Sequence, residues 1–176
     1  MKFIQSHSDS VIRSKQTYYK GNNFRSRLEA RWSVFFDQIG VEYEYEKQRF
    51  DLNNGLVYTP DFWLPHYNCW VEIKPDSINI DQGDLAVRKA FNLAVETLSN
   101  VYIIFGHPDL YAYQMERVLL ENVLIESLWG QCRNCAFVGI FEKAGLCPEC
   151  YSSDSFYPDS MFMKSAYLAA GRKRFL

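Results

Sequence analysis

Two sets of residues in this chain have the types and spacing that could carry chemistry. In the first, Asp61 stands in the segment TPDFWL, and Glu72 and Lys74 follow in WVEIKP. Two carboxylates held close together repel each other unless a cation lies between them, and the hard ions Mg²⁺ and Mn²⁺ bind carboxylate oxygens, carbonyl oxygens and water. A neighbouring lysine can hold or deprotonate an attacking water and offset charge on a pentavalent phosphate. The first set therefore suits metal-assisted chemistry on a phosphate ester.

The second set consists of four cysteines in two Cys-x2-Cys pairs. Cys132 and Cys135 form one pair, Cys147 and Cys150 form the other, and eleven residues separate the pairs. Four thiolates at this spacing match tetrahedral Zn²⁺ and resemble the two knuckles of a zinc ribbon. Because a four-sulfur site has no open position for a substrate, its predicted role is structural. The alternatives are reduced cysteines without metal and an iron–sulfur site, and Cys69 is predicted to be a small buried residue.

The elements around the acidic set must bring Asp61 beside Glu72. Segments 56–64 and 69–74 are predicted strands joined by a tight turn, which can place these two positions side by side. Glu72 and Lys74 are two residues apart, so they share one face of the second strand while its apolar residues enter the other. Two charges on one face of a central strand are costly unless something compensates them, and a functional site would do so.

The surrounding pattern predicts a mixed α/β unit with a crossover. The predicted elements are a helix over 24–39, strands over 41–50, 56–64 and 69–74, a helix over 83–99 and a strand over 101–105. A hairpin turn is predicted at Asn53-Asn54-Gly55. The segment 110–120 could be helical, 123–129 favours a strand that leads into the cysteine region, and 136–141 favours a strand between the two knuckles.

Composition excludes several classes of protein. The chain has 176 residues, of which 48% are hydrophobic and 16% aromatic, and this excludes disorder and fibrous repeats. The apolar runs are far shorter than the ~20 residues that cross a bilayer, and the first residues lack the apolar segment of a secretory signal. We therefore expect a cytoplasmic protein without a membrane partner.

Charge is distributed unevenly although the net charge is only −2. Six basic residues and one acidic residue lie between positions 13 and 31. Such an arm could contact phosphates, and the alternative is an ordinary solvated surface. The tail over 172–176 is basic and aromatic, which suits nucleic-acid contact but also an ordinary soluble end. The candidate nucleic-acid-binding residues are Lys20, Arg25, Arg27 and Arg31.

The string Pro60-Asp61 followed by Glu72-Ile73-Lys74, after a helix that carries Glu29, resembles the PD-(D/E)xK nuclease superfamily. The resemblance covers about residues 24–105 and is nearest to small phage and prophage nucleases and the Holliday-junction-resolvase-like branch. It implies a restriction-endonuclease-like core, a mixed four-stranded sheet flanked by helices, and Mg²⁺-dependent hydrolysis of nucleic-acid phosphodiester bonds.

The resemblance also assigns roles to individual residues. Asp61, Glu72 and the backbone carbonyl of Ile73 would ligate the metal, and Lys74 would position the water and stabilise charge. Glu29 would reach a metal-bound water or a second ion. Lys89, on the second helix, would lie near the scissile phosphate.

Together these observations predict a basic arm over 1–23, a nuclease core over 24–129, a zinc ribbon over 130–157 and a basic tail over 158–176. The predicted function is a metal-dependent endonuclease that cleaves DNA with Mg²⁺ or Mn²⁺ and carries a structural Zn²⁺. The alternatives are a nucleic-acid-binding zinc-ribbon protein with a vestigial acidic cluster and an interaction adaptor of a phage or defence complex. A homodimer would let two sites cut two strands.

Overall fold

The computed structural model describes residues 14–53, 55–75, 85–109, 113–119, 123–142, 145–153 and 156–175. These residues form an α/β structure in which helices flank a mixed sheet, and this confirms the predicted class, although the sheet has eight strands and not the four that the resemblance implies. Several predicted features lie wholly or partly outside the described residues. They are the first part of the basic arm, Asn54 of the predicted hairpin turn and the start of the second helix at 83–84.

Three helices and twelve strands form in the described part of the chain. The helices are α1 (Arg27–Ile39), α2 (Leu85–Thr97) and α3 (Met161–Arg172). The strands are β1 (Thr17–Tyr19), β2 (Asn22–Phe24), β3 (Glu44–Tyr45), β4 (Phe50–Asp51), β5 (Val57–Tyr58), β6 (Phe62–Leu64), β7 (Cys69–Lys74), β8 (Asn100–Phe105), β9 (Gln114–Val118), β10 (Leu124–Cys132), β11 (Val138–Glu142) and β12 (Phe156–Tyr157).

The central sheet has the strand order β11-β10-β9-β8-β7-β6-β3, and β12 pairs with β10. β7 and β8 are parallel and are connected through α2, as a crossover requires, whereas the other neighbouring strands are antiparallel. The boundary that we predicted between core and zinc ribbon falls inside β10. The cysteine region is therefore continuous with the central sheet.

Each face of the sheet packs against different helices. On one face, Val71 and Ile73 of β7 belong to a core with apolar residues of α1 and α3. On the other face, Trp70 of β7 packs in a second core with residues of α2 and β8. Since side chains alternate along a strand, Glu72 and Lys74 lie on the α2 face. The fold thus leaves the two charges at the end of β7 beside the beginning of α2.

Helix α1 begins later than the apolar pattern predicted because Ser26 caps it. The Ser26 hydroxyl accepts a hydrogen bond from the amide of Glu29 at 3.2 Å and donates one to the Glu29 carboxylate at 2.6 Å. This pair is a variant of the capping box in which the carboxylate accepts from the Ser26 hydroxyl and the Arg25 amide, and Phe24 falls outside the helix and ends β2 instead. Gly40, with a φ of 72°, ends the helix in the left-handed conformation.

The predicted strand over 41–50 is wrong in its extent. Two short strands form instead, β3 in the middle of this segment and β4 at its end, and the chain turns between them at Glu46, whose φ of 44° is left-handed. The Glu46 amide donates to the carbonyl of Asp61 at 2.9 Å, so the turn is tied to the start of β6. The predicted strand over 56–64 is likewise divided into β5 and β6.

Two further segments differ from the sequence-based expectation. The prediction that 110–120 could be helical is wrong for residues 114–118. These residues form β9, which pairs with β8 on one side and β10 on the other. The segment predicted as a basic tail contains α3, which packs against α1 through a stacked pair, Tyr167 and Phe35, with ring centroids 4.7 Å apart. Neither α3 nor any other helix of the described residues is long and apolar enough to span a membrane.

Candidate active site and cysteine cluster

Asp61, directly before β6, and Glu72, near the end of β7, lie opposite each other on neighbouring segments of the sheet. The strands pair Phe62 with Val71, and the next position along this register pairs Asp61 with Glu72. Both side chains are buried, with exposures of 2% and 7% for the two residues. The sharp entry into β6 and the alternation along β7 therefore place two carboxyl groups side by side on the α2 face.

Glu72 is only partly satisfied by its neighbours. Its Oε1 forms an ion pair with the ammonium of Lys74, whose side chain is partly exposed. Its Oε2 is buried and makes no well-formed hydrogen bond among the described residues, although the buried Tyr58 hydroxyl interacts with the Glu72 carboxylate. A buried carboxylate oxygen without a donor costs free energy, which a cation at this position would recover.

Arg25 connects Asp61 with the turn after β3. Its Nη2 lies 2.6 Å from Asp61 Oδ1, and its Nε lies 2.7 Å from Glu46 Oε1. The second Asp61 oxygen, Oδ2, accepts a hydrogen bond from the Ile73 amide at 2.7 Å. Both Asp61 oxygens are thus engaged, one by a side-chain cation and the other by the backbone of β7.

Glu29 has a clear structural role at the start of α1. Besides the Ser26 hydroxyl, its carboxylate accepts hydrogen bonds from the Arg25 amide at 3.1 Å and from the Tyr45 hydroxyl at 2.6 Å. These contacts hold the segment before α1 against β3. The contact with a metal-bound water that the resemblance implies stays a prediction.

The electrostatic environment of Asp61 favours an added positive charge. Burial raises the pKa of Asp61 well above its usual range, and the negative charges of Glu72 and Glu29 raise it further, against the opposing effects of the Ile73 amide and Arg25. Burial, and then the charges of Glu72 and Asp61, also raise the pKa of Tyr58 well above its usual range. Negative charge is therefore in excess at this edge of the sheet.

A solvent-open cleft of about 510 Å³ adjoins these groups. Helix α2 brings Lys89 to the cleft, where its Nζ lies 5.9 Å from the centre of the Tyr58 ring. The cleft thus presents three cations beside the buried carboxylates. Its lining consists of Arg25, Val57, Tyr58, Thr59, Glu72, Lys74, Leu85, Ala86 and Lys89.

A divalent ion at this cleft would be held mainly by two protein carboxylates. Among the described residues, the cysteines are the one group of three or more potential metal-binding side chains whose ligand atoms lie within 4.8 Å of one another. Glu29, Asp61 and Glu72 therefore do not form a compact three-carboxylate site. The residues fit an ion that takes Asp61 and Glu72 as ligands and completes its coordination with carbonyl oxygens and water, as Mg²⁺ does.

The four candidate nucleic-acid-binding residues separate in the structure. Arg25 lines the cleft, and Arg27 is exposed on the first turn of α1. Lys20 instead forms an ion pair with Asp37 at 3.0 Å. Arg31 donates to the carbonyl of Ala170 at 3.0 Å and to the next carbonyl, so it binds the C-terminal end of α3.

The four cysteines form a compact cluster between β10, β11 and the segment after β11. The Sγ atoms of Cys132 and Cys150 are 3.6 Å apart, and those of Cys135 and Cys147 are 3.7 Å apart. A tetrahedron with Zn–S bonds of about 2.3 Å has S···S edges of about 3.8 Å, so these separations suit zinc. The cluster could hold a structural metal such as zinc. Cys69 lies elsewhere, buried in the core, as expected.

Sequence analysis missed two features of the site. The first is the capping box that occupies Glu29, although Ser26 and Glu29 have the S-x-x-E spacing that signals one. The second is the ion pair between Arg25 and Asp61. These residues are far apart in sequence, and no local pattern predicts their contact.

Comparisons of the chain with protein-family models, with curated proteins and with solved structures find no match.

Proposed function

We propose that the protein is a metal-dependent nuclease of the PD-(D/E)xK type that hydrolyses DNA phosphodiester bonds. The observation that carries this proposal is the buried Glu72 carboxylate, which lies opposite Asp61 and beside Lys74 and whose Oε2 makes no well-formed hydrogen bond among the described residues. A carboxylate in this state is suited to binding a divalent cation. The proposal includes a restriction-endonuclease-like core, which the order α1, β6, β7, α2, β8 supports.

Each group at the cleft has a role in this reaction. Asp61 and Glu72 would hold Mg²⁺, which when bound polarises the phosphate and lowers the pKa of water. Lys74 orients the attacking water through its Nζ and stabilises negative charge as it develops on the phosphate oxygens. Lys89 offers a second cation from α2 on the same side of the cleft. Apolar residues of β7, β8 and α2 pack in one core on this face of the sheet and would limit the access of water to the buried side of the carboxylates.

The substrate is inferred from charge and shape. Three basic side chains line an open cleft, and such a cleft suits an extended polyanion better than a small enclosed ligand. The cysteine region is joined to the same sheet through β10 and would give a rigid edge beside the nuclease core. DNA is the polyanion that the resemblance implies.

The ion pair between Arg25 and Asp61 favours a second candidate function. An arginine that permanently neutralises Asp61 would make the acidic cluster a structural element. The protein would then bind nucleic acid through the basic cleft without cleaving it. This function differs from the nuclease in one measurable respect, because DNA would be retained but never cut.

A substrate panel tests the nuclease proposal. Supercoiled plasmid, linear duplex, four-way junction, single-stranded DNA and RNA would each be incubated with the zinc-loaded protein in Mg²⁺ or in EDTA. We expect cleavage of DNA in Mg²⁺ alone, and we expect Glu72→Gln to abolish it. Glu44→Gln, which changes an exposed glutamate in an ion pair with Lys47, is the matched control and should cleave normally. A gel shift without cleavage, or equal cleavage by Glu72→Gln, would contradict the proposal.

A further inference from the structure

We propose that Arg25 is a metal-displaced arginine: it neutralises Asp61 until a divalent ion binds, and then turns into the cleft to contact a substrate phosphate. The inference rests on the proposed function. It adds a sequence of events, in which the divalent ion binds first and thereby increases the affinity of the site for DNA. The evidence for it is the set of contacts that Arg25 and Asp61 make in the structure.

The first step is competition for one oxygen atom. Asp61 Oδ2 is engaged by the Ile73 amide, so Oδ1 is the oxygen left for a metal, and Arg25 Nη2 lies 2.6 Å from it. A divalent ion binds a carboxylate oxygen at about 2.1 Å and repels a guanidinium on the same atom. The ion and the guanidinium therefore compete electrostatically at Oδ1, and we expect binding of the ion to displace Nη2.

The second step concerns where Arg25 goes. Its Nε is held by Glu46 Oε1 at 2.7 Å, and its backbone amide lies 2.9 Å from the Tyr45 hydroxyl and 3.1 Å from Glu29 Oε2. The backbone contacts do not involve Asp61, so the main chain at Arg25 keeps its position when Nη2 leaves. The side chain is 52% exposed and already lines the cleft, so a change in its side-chain torsion angles can present the guanidinium to the cleft.

The third step is the change in charge. With Asp61 ionised and no divalent ion bound, Arg25 and Lys74 face the carboxylates of Asp61, Glu72 and Glu46, and these five side chains carry an excess of one negative charge. A divalent ion converts this into an excess of one positive charge. The released guanidinium is then suited to bidentate binding of a phosphate, which is the geometry that arginine prefers. Metal binding should thus increase the affinity for DNA through Arg25.

Mn²⁺ binding tests the competition directly, without reference to activity. Free Mn²⁺ would be measured by electron paramagnetic resonance during titration of the zinc-loaded full chain. We expect Arg25→Gln to bind Mn²⁺ at least fivefold more tightly than wild type, because the competitor is removed. Arg49→Gln removes an arginine from an exposed Arg–Asp pair, with Asp51, and should leave the dissociation constant within twofold.

DNA binding tests the second half of the inference. In Ca²⁺, which takes the same oxygen ligands, wild type should bind a DNA duplex at least fivefold more tightly than in EDTA. Arg25→Gln should lose most of this gain in spite of its tighter metal binding. Tighter metal binding combined with weaker DNA binding is a pattern that simple misfolding does not produce.

Two further variants separate the possible failures. Asp61→Asn should weaken Mn²⁺ binding at least tenfold, and Mn²⁺ binding equal to wild type would overturn the proposed function itself. Arg25→Lys keeps a charge but cannot contact both Asp61 and Glu46, so its Mn²⁺ affinity should lie between those of wild type and Arg25→Gln. If Asp61→Asn weakens binding while Arg25→Gln and Arg25→Lys both bind Mn²⁺ no more tightly than wild type, the displacement is wrong and the nuclease proposal stands.

Discussion

Asp61 accepts a hydrogen bond of 2.7 Å from the backbone amide of Ile73, the residue that separates Glu72 from Lys74. The bond fixes one carboxylate oxygen to the end of β7, so the distance between Asp61 and the two charged side chains of that strand depends on the backbone and not on flexible side chains. Sites that bind a metal need this kind of support from rigid elements. Under the proposed function, this arrangement would explain why a carboxylate is buried at this position.

The first prediction concerns the stability of Asp61→Asn. Because the pKa of Asp61 is raised in the folded state, the folded protein holds this proton at pH values where the unfolded chain has lost it. This contribution to stability is complete below the unfolded pKa of about 3.9 and is lost as the pH rises through the folded pKa. In EDTA at pH 7, Asp61→Asn should therefore melt at a higher temperature than wild type, with a flatter dependence on pH.

Thermal melts between pH 4 and 9 measure this effect. Mg²⁺ should raise the melting temperature of wild type more than that of Asp61→Asn, since the variant lacks one of the two carboxylates that are proposed to bind the ion. Asp51→Asn, at an exposed aspartate, is the control and should change neither property. A lower melting temperature for Asp61→Asn in EDTA would mean that the ion pair with Arg25 outweighs the cost of burying the charge.

The second prediction concerns the start of α1. Ser26→Ala removes the hydroxyl that accepts from the Glu29 amide and donates to its carboxylate, and it should lower the free energy of unfolding by about 1 kcal/mol. Glu29→Gln should lower it by about 1–2 kcal/mol, because three hydrogen bonds lose a charged acceptor. Denaturant unfolding measures both values. An unchanged free energy for both variants would contradict the capping role.

The same pair of variants tests the catalytic role that the resemblance implies for Glu29. Ser26→Ala damages the cap but leaves the carboxylate in place. A loss of cleavage in Glu29→Gln well beyond that in Ser26→Ala would therefore be the sign of a contact with metal-bound water. Cleavage rates for both would be measured well below their melting temperatures.

The third prediction concerns the cysteine cluster. Cys147→Ser should reduce the zinc content from about one ion per chain and lower the melting temperature, since a structural zinc site contributes directly to folding free energy. Because β10 pairs with both β9 and β11, faster amide exchange should extend from β11 and β12 into the central sheet. Metal analysis and hydrogen exchange give the two measurements.

Cys69→Ser provides the control for zinc binding. Cys69 is buried in the core of the sheet and lies outside the cluster, so this variant should keep its zinc even if it is less stable. Full zinc content in Cys147→Ser would contradict the assignment of the cluster as a metal site.

The parts of the fold that depend on local pattern could be predicted from the sequence. The alternation along β7 indicated that Glu72 and Lys74 share a face, and the structure places Val71 and Ile73 in the opposite core. The spacing of apolar residues indicated α1 and α2. The paired cysteines indicated a metal site, because ligand spacing is itself a local property.

The remaining features depend on contacts between distant segments. Helix α3 was missed because its basic and aromatic end suggested a tail, although Met163, Ala166, Tyr167 and Ala170 have the spacing of a buried helical stripe. Strand β9 is held by pairing on both sides, which the ambiguous pattern of 110–120 does not encode. The contact between Arg25 and Asp61 likewise arises only when the start of α1 meets β6.

The most direct test of the central claim compares Lys74→Ala with Lys164→Ala in single-turnover cleavage of the preferred DNA substrate in Mg²⁺, at equal zinc content. Lys164 is an exposed lysine in an ion pair with Asp159. Lys164→Ala therefore removes one positive charge, as Lys74→Ala does, but at a position that has no role in the proposed reaction. Lys74→Ala should cleave at least about 100-fold more slowly than wild type, because it lacks the cation that orients the water and stabilises the phosphate, whereas Lys164→Ala should cleave within about twofold of wild type. Cleavage by Lys74→Ala at the wild-type rate would contradict the account.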